Sequence, residues 1–147
     1  MTLTTKILAQ GDEAVLERVA DDVFDDPIDL PAMAEFLADP RHHIAVAIDD
    51  GLVVGFASGV HYVHPDKKRP ELFVNEVGVA DSHQGRGIGK AVLGALLEQG
   101  RALGCAVAWV LTDRDNVPAM RLYTSTGGTE PGHDHVMFSF ELDTRPR

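Results

Sequence analysis

The sequence predicts a domain built on a mixed α/β sheet. Three observations carry that reading: a run of strand-like segments in mid-chain, a hairpin signal between two of them, and a glycine-rich turn feeding an amphipathic helix. Thr4 to Ala9 alternates weakly and is read as a first strand. Asp12 is a candidate N-cap, with Ala14, Val15, Val19 and Val23 at helical spacing behind it. Asp25-Asp26-Pro27 breaks that helix, because proline disfavours helix in the residue before it. Pro31 opens a second helix with Met33, Phe36 and Leu37 as its apolar face, and Asp39-Pro40 stops it. His43 to Ile48 and Leu52 to Tyr62 are strands joined by Asp49-Asp50-Gly51. A polar loop, Pro65 to Pro70, leads to a strand from Leu72 to Val79. Ile88, Ala91, Val92, Ala95 and Leu96 mark one face of a helix that Gly104 would close. Ala106 to Leu111 reads as a buried strand, Pro118 to Thr126 as a short helix, and His135 to Leu142 as an alternating last strand. The predicted order is β-α-α-β-β-β-α-β-α-β, with a frayed tail from Asp143 to Arg147.

With 147 residues, 44% hydrophobic and 24% charged, the chain is expected to form one globular domain over 1–147. A chain of that length buries roughly 68–70% of its unfolded surface and needs no staple. Cys105 is the one cysteine, which excludes an internal disulfide framework and suits a reducing compartment. The start lacks the apolar stretch of a signal peptide, and no run approaches the ~18 apolar residues of a membrane span. The expected location is the cytoplasm, away from any membrane.

The net charge of −10 is concentrated. Between positions 12 and 39 stand ten acids against one base, Arg18. A field of that sign repels phosphate backbones and attracts cations, so nucleic acid is not an expected partner. Read blandly, the same stretch is a solvated acidic surface.

The sharpest local feature is Gln84-Gly85-Arg86-Gly87-Ile88-Gly89-Lys90, set between a strand and a helix. Glycines there let the backbone turn tightly and expose N–H groups at a helix N-terminus, which favours a phosphate. Arg86 and Lys90 add cationic charge. A Walker A loop would need glycine at 84 and Ser or Thr at 91, where Gln84 and Ala91 stand. A dinucleotide fingerprint fails at Lys90 or at Val92, depending on its start. What fits is Gln-x-x-Gly-x-Gly: Gln84, Gly87, Gly89.

That pattern resembles the acetyl-CoA loop of the GNAT superfamily of acyl-CoA-dependent N-acyltransferases. Two further stretches add to the resemblance. Asn75-Glu76-Val77-Gly78-Val79 precedes the loop as the family's fourth strand does, with an acid at the usual position. Asn116-x-x-Ala119-x-x-Leu122-Tyr123-x-x-x-Gly127 looks like the later motif, in which a helix ends in Leu-Tyr before a glycine. The element order agrees from about residue 1 to 142. The resemblance implies a mixed, mostly antiparallel central sheet of about six to seven strands, flanking helices and a splayed acetyl-CoA cleft. Within the superfamily, Leu37-Ala38-Asp39-Pro40-Arg41, Leu52-Val53-Val54-Gly55, Leu122-Tyr123-Thr124 and Phe140-Glu141-Leu142 look like aminoglycoside 3-N-acetyltransferases. The chain departs from that subgroup in having Glu76 where aspartate is usual and Arg86 alone between two loop glycines.

The resemblance implies transfer of an acetyl group from acetyl-CoA to the amine of a cationic small molecule, an aminoglycoside for choice. Glu76 is the candidate base, since a partly buried carboxylate with a raised pKa suits proton abstraction near neutrality. Tyr123 is the candidate acid for the leaving thiolate. Val77, Gly78, Val79, Gln84, Gly85, Arg86, Gly87, Ile88, Gly89, Lys90, Asn116, Ala119 and Tyr123 would hold the cofactor. Val77 N–H would meet the oxyanion. Asn116 has a second reading as a helix cap. The acceptor would be met by Glu76, by Asp25 and Asp26 of an acidic rim that also holds Asp21, Asp22 and Asp29, and by Asp134 or His135, which compete for one role. The family also suggests a homodimer.

Two other readings stay open: the same chemistry on a polyamine, protein N-terminus, lysine or metabolite, and a non-catalytic acyl-CoA-binding domain. No metal is expected. His61 and His64, three apart on a strand, face opposite sides, as do His42 and His43; His133 and His135 lack a third ligand. Cys105 reads as a small core residue.

Overall fold

The computed structural model describes residues 3–132, 134–143 and 145–146. Its sheet has five strands in the order β1 (Leu3–Ile7), β2 (His42–Asp49), β3 (Leu52–Tyr62), β4 (Glu71–Val79) and β5 (Val107–Val110). The first four are successive antiparallel neighbours, and β5 joins β4 in parallel. Asp50 and Gly51 form the two-residue β2–β3 turn, with φ of 51° and 80°. Two positive φ values are what a type I′ turn requires, and that turn follows the right-handed twist of the strands.

Three helices complete the frame: α1 (Leu30–Ala38), α2 (Ile88–Ala102) and α3 (Val117–Ser125). Asp29 caps α1 by accepting from Ala32 N at 2.9 Å, with Pro31 in the first turn. α2 packs across β1 to β4 and buries Ile88, Val92, Leu93 and Leu96. It ends in a Schellman motif: Gly104, at φ +81°, donates to Arg101 O at 3.0 Å, and Cys105 N donates to Gly100 O at 2.9 Å.

The structure corrects four expectations. The helix expected behind Asp12 is only a short 3-10 helix, Glu13–Glu17. Beyond it the chain extends: Val53 N donates to Arg18 O at 2.8 Å, and Ala20 N donates to Val53 O at 2.9 Å. Val19 bridges Val53, a bonding offer from β3 that suits a β-branched residue and outcompetes further helix. Second, β5 is not buried: Val107 and Trp109 are exposed, because nothing lies on the strand's outer side among the described residues.

Third, residues 135–142 alternate as a strand should but join no ladder. Fourth, the sheet therefore has five strands, not six to seven. Alternation gives a segment two faces, but pairing needs a neighbour's backbone. Of the expected tail, Thr144 and Arg147 lie outside the described residues, while Arg145 pairs with Asp143 at 2.6 Å.

Gly104→Ala should lower unfolding free energy by about 1–2 kcal/mol, the cost of a side chain in left-handed backbone. Urea denaturation followed by circular dichroism measures it.

Candidate active site

At one end β3, β4 and β5 are tied together. Trp109 Nε1 donates to Tyr62 Oη at 2.6 Å, and Tyr62 O–H donates to Glu71 Oε1 at 3.3 Å. The Trp109 ring lies 4.4 Å from that of Phe73. Arg69 closes the same end by donating to Gly104 O and Cys105 O at 3.0 and 3.1 Å. At the other end the strands part. The parallel ladder covers only Glu71 to Val74, so, among the described residues, positions 75–79 of β4 have no strand on the β5 side. Backbone groups along that open edge are the expected seat of an extended amide-bearing chain.

A β-bulge sits where the strands part. Ser58 pairs with Glu76 and Gly59 with Val74, which leaves Asn75 as the extra residue. The bulge breaks the alternation, so Asn75 and Glu76, neighbours in sequence, both line one cavity. That cavity, of about 360 Å³, lies on the face opposite α2. Its walls are largely apolar, including Phe24, Met33, Phe36, Ile44 and Phe56, with Asp25, Asp26, Asp29 and Glu76 as its carboxylates. Phe24 stacks on Phe56 at 4.1 Å between ring centroids.

Burial raises the pKa of Glu76, and the charge of Asp25 adds to the rise. Gly78 allows that approach: a Cβ there would stand 2.6 Å from Val23 O and 2.8 Å from Phe56 Cε1. Its first role is therefore to let the chain before Asp25 lie on β4, a packing signal that the cofactor motif concealed. The acidic stretch also divides. Asp22 is an anchor, accepting from Asp81 N at 2.8 Å, while Asp29 both caps α1 and lines the cavity.

Beyond β4, Gln84 Nε2 donates to Asp81 Oδ1 at 3.2 Å, and His83 Nε2 lies 2.7 Å from Asp49 Oδ2. These side chains staple the entry to the glycine turn; the His83–Asp49 pair, 34 residues apart, left no sequence signal. Gly85 and Gly87 hold φ of +76° and +78°, with nothing near the place of a Cβ. Gly87 caps α2 without a side-chain bond, and the first turn of α2 carries no acid but does carry exposed Lys90. A cation and uncapped N–H groups burden a free helix N-terminus and suit a bound anion.

The three motif segments meet at Gly89. A Cβ there would lie 3.5 Å from Leu122 and 3.7 Å from Val79. Tyr123, next to Leu122, is partly buried, which raises its phenol pKa and keeps it protonated at neutrality. Asn116 Oδ1 accepts from Ala119 N at 3.2 Å, so that oxygen caps α3.

Asp134 and His135 are not among the cavity-lining residues; Asp134 lies close enough to Arg114 for its charge to be felt there. Among the described residues the other histidines have partners. One ring of the His43–His61 pair donates to the other across 2.7 Å, and burial holds His43 down to about 4. His64 meets Glu71 at 3.2 Å, and His42 stacks on Phe36. Among the described residues no cluster of three or more His, Cys, Asp or Glu could hold a metal ion. His133 lies outside them. Cys105 is half-buried, and that burial raises its thiol pKa. No helix among the described residues is long and apolar enough to cross a membrane.

Residues 13–127 match the acetyltransferase (GNAT) family, and the chain belongs to it. It is 36% identical over 106 residues to the N-alpha-acetyltransferase RimI of Mycobacterium tuberculosis, covering 71% of this chain and 63% of that one. It thus spans less than two thirds of the length of that relative. Its fold superposes on an aminoglycoside acetyltransferase from an uncultured soil metagenomic sample with a TM-score of 0.80, at 22% identity, over 97% of this chain and 100% of that one. The aminoglycoside N-acetyltransferase AAC(6')-Iy, solved with CoA, gives 0.75 at 20% identity over 97% and 96%.

Asp25→Asn should lower the Glu76 pKa, because it removes the neighbouring negative charge. NMR titration of the Glu76 carboxyl reads the shift, and an unchanged midpoint would show that the two groups are not coupled.

Proposed function

We propose that the chain is an acetyl-CoA-dependent N-acetyltransferase for a polycationic amine, with an aminoglycoside acetylated at its 3-amino group as the first candidate. The observation that carries this is the placement of Glu76 and Asp25 on one cavity, where β4 parts from β5, with the glycine turn beyond the same strand.

Each residue then has a task. Asp25, Asp26 and Asp29 attract the acceptor as its ammonium form, through charge that reads sign rather than shape. Glu76 takes the proton, directly or through water, and its raised pKa fits it to that exchange. The freed amine attacks the thioester carbonyl, forming the C–N bond. Val77 N–H stabilises the charge that develops on oxygen. As the C–S bond breaks, Tyr123 gives its proton to the thiolate, a transfer that is uphill by roughly 1.5 units between reference phenol and thiol, and the second proton that the acylated nitrogen sheds restores the phenol. The N–H groups of Gly85 to Gly89, with Arg86 and Lys90, hold the phosphates. Gln84 fixes the turn, buried Ile88 roots it in the core, and Val79 with Gly78 continues the open edge. The Asn116 amide and the α3 backbone at Ala119 border the acyl-carrying arm.

A second reading has its own support. The cavity walls are largely apolar, and the relative matched over 71% of this chain is an N-alpha-acetyltransferase. A protein N-terminus with an apolar first side chain would use the same walls.

Thiol release from acetyl-CoA across aminoglycosides, polyamines and N-terminal peptides at matched ionic strength separates these readings. Turnover with aminoglycosides alone supports the first, with peptides alone the second, and none at all overturns both. Glu76→Gln should reduce kcat/KM by roughly 10²-fold or more. It should also raise Tm at pH 7, since a carboxyl with a raised folded pKa loses stability as pH rises through its pKa, and Gln does not. Tyr123→Phe should lower kcat with little change in KM, a loss on the order of 10²-fold.

A further inference from the structure

The bulge on β4 does more than turn Glu76 into the cavity. In a β-bulge two residues of one strand oppose one of its partner, and here Asn75 and Glu76 together oppose Ser58 of β3. All three line the cavity, whose walls are otherwise apolar apart from Asp25, Asp26 and Asp29. Ser58 stands out. Among the described residues only Ser58 and His43 are both polar and buried, at 8% and 6% exposure. His43 has its partner in His61, whereas Ser58 lies on the cavity wall. A buried hydroxyl is ordinarily hydrogen-bonded, so a molecule that enters the cavity is expected to pair with it.

We propose that Ser58 and Asn75 bind the acceptor and select a primary amine, each accepting one N–H of the nitrogen whose third proton goes to Glu76. The proposal rests on the reading of Glu76 as the base. Register partners such as Ser58 and Glu76 hold their Cβ atoms about 4.5–5.5 Å apart. Asn75 is the next residue of the same strand, at about 3.8 Å between Cα atoms. Three oxygens each ~2.9 Å from one tetrahedral nitrogen stand roughly 4.7 Å from one another. Side chains at this spacing match the three protons of an R–NH3+ group.

The division of labour follows from the oxygens themselves. A carboxylate with a raised pKa takes a proton near neutrality. A hydroxyl and a carboxamide oxygen accept a hydrogen bond and leave the proton where it is. When Glu76 removes its proton, the two N–H groups that stay are still held, which fixes the direction of the lone pair. A secondary amine keeps only one N–H after that step. Its extra carbon would face Ser58 or Asn75 and leave an oxygen without a donor in an apolar cavity, a costly arrangement. On the peptide reading the same rule refuses an N-terminal proline. Carboxylates at the rim read charge, and this pair reads how many protons the nitrogen carries.

Binding and turnover test the proposal separately. NMR titration with n-butylammonium and with N-methyl-n-butylammonium, read at the backbone amides of residues 74–77, should show the primary probe binding roughly tenfold or more tighter. Ser58→Ala and Asn75→Ala should each bring that ratio within about threefold of unity, while Ser58→Thr, which keeps the hydroxyl, should preserve it. Unchanged circular dichroism would show that the variants fold. For each amine that thiol release finds to be turned over, Ser58→Ala should lower kcat/KM by about tenfold and change that of the N-methyl counterpart far less. Equal affinity for the two probes in the wild-type chain would overturn the proposal, as would no binding of either. So would a ratio that survives both alanine variants. A selective ratio lost in both variants, with no amine turned over, would support the binding role and overturn the proposed function instead.

Discussion

The site depends on one geometric constraint: β4 is held to β5 at one end and released at the other. Five side chains hold the closed end, with Arg69, Tyr62, Glu71, Phe73 and Trp109 binding three strands and a loop into one corner. The bulge at Asn75 marks the release. Without the tie, β5 could not be positioned to leave a cleft. Without the release, β4 would be an ordinary interior strand with its backbone groups spent on a neighbour. The bulge also turns two consecutive side chains to one face, so the opening of an edge and the aiming of a carboxylate are one event.

Electrostatics then follow from where the acidic stretch is pressed. A solvated run of ten acids would titrate as free carboxylates. In the fold, Asp25 is brought near a partly buried Glu76, and the pair raises the cost of a second negative charge there. The closeness is steric in origin: with no side chain at Gly78, the Val23 carbonyl can lie on the strand. Asp22, a few residues earlier, spends its charge on a backbone N–H and holds the loop in place. One stretch therefore supplies both the field and the anchor that aims it.

Much of this was legible in the sequence, and the limits were physical. Pro31, Asp50-Gly51 and Gly104 act through their own backbone preferences, so α1, the β2–β3 turn and the end of α2 lay where local chemistry put them. The spacing of Gln84, Gly87 and Gly89 was equally local. Val15 and Val19 misled because helical spacing cannot reveal that β3 will offer Val19 a backbone partner. His135 to Leu142 misled because alternation says nothing about a neighbour. Glu76 was found from its motif, but its bulge, its cavity and its coupling to Asp25 are tertiary. Asp134 and His135 were placed by resemblance, and neither is among the residues that line the cavity.

The sheet's strand order has a consequence for assembly. β1 to β4 are neighbours in space as in sequence, apart from the excursion before β2, and the two adjoining antiparallel pairs from β2 to β4 form from local contacts. β5 must arrive through the α2 crossover to make a four-residue parallel pairing, and its tie joins Tyr62 to Trp109, 47 positions apart. Long-range pairings come late because chain closure must precede the contacts that reward it. The cleft thus exists only once that crossover has closed. A chain that has completed its antiparallel pairs but not this step has a nearly finished sheet and no place to do chemistry.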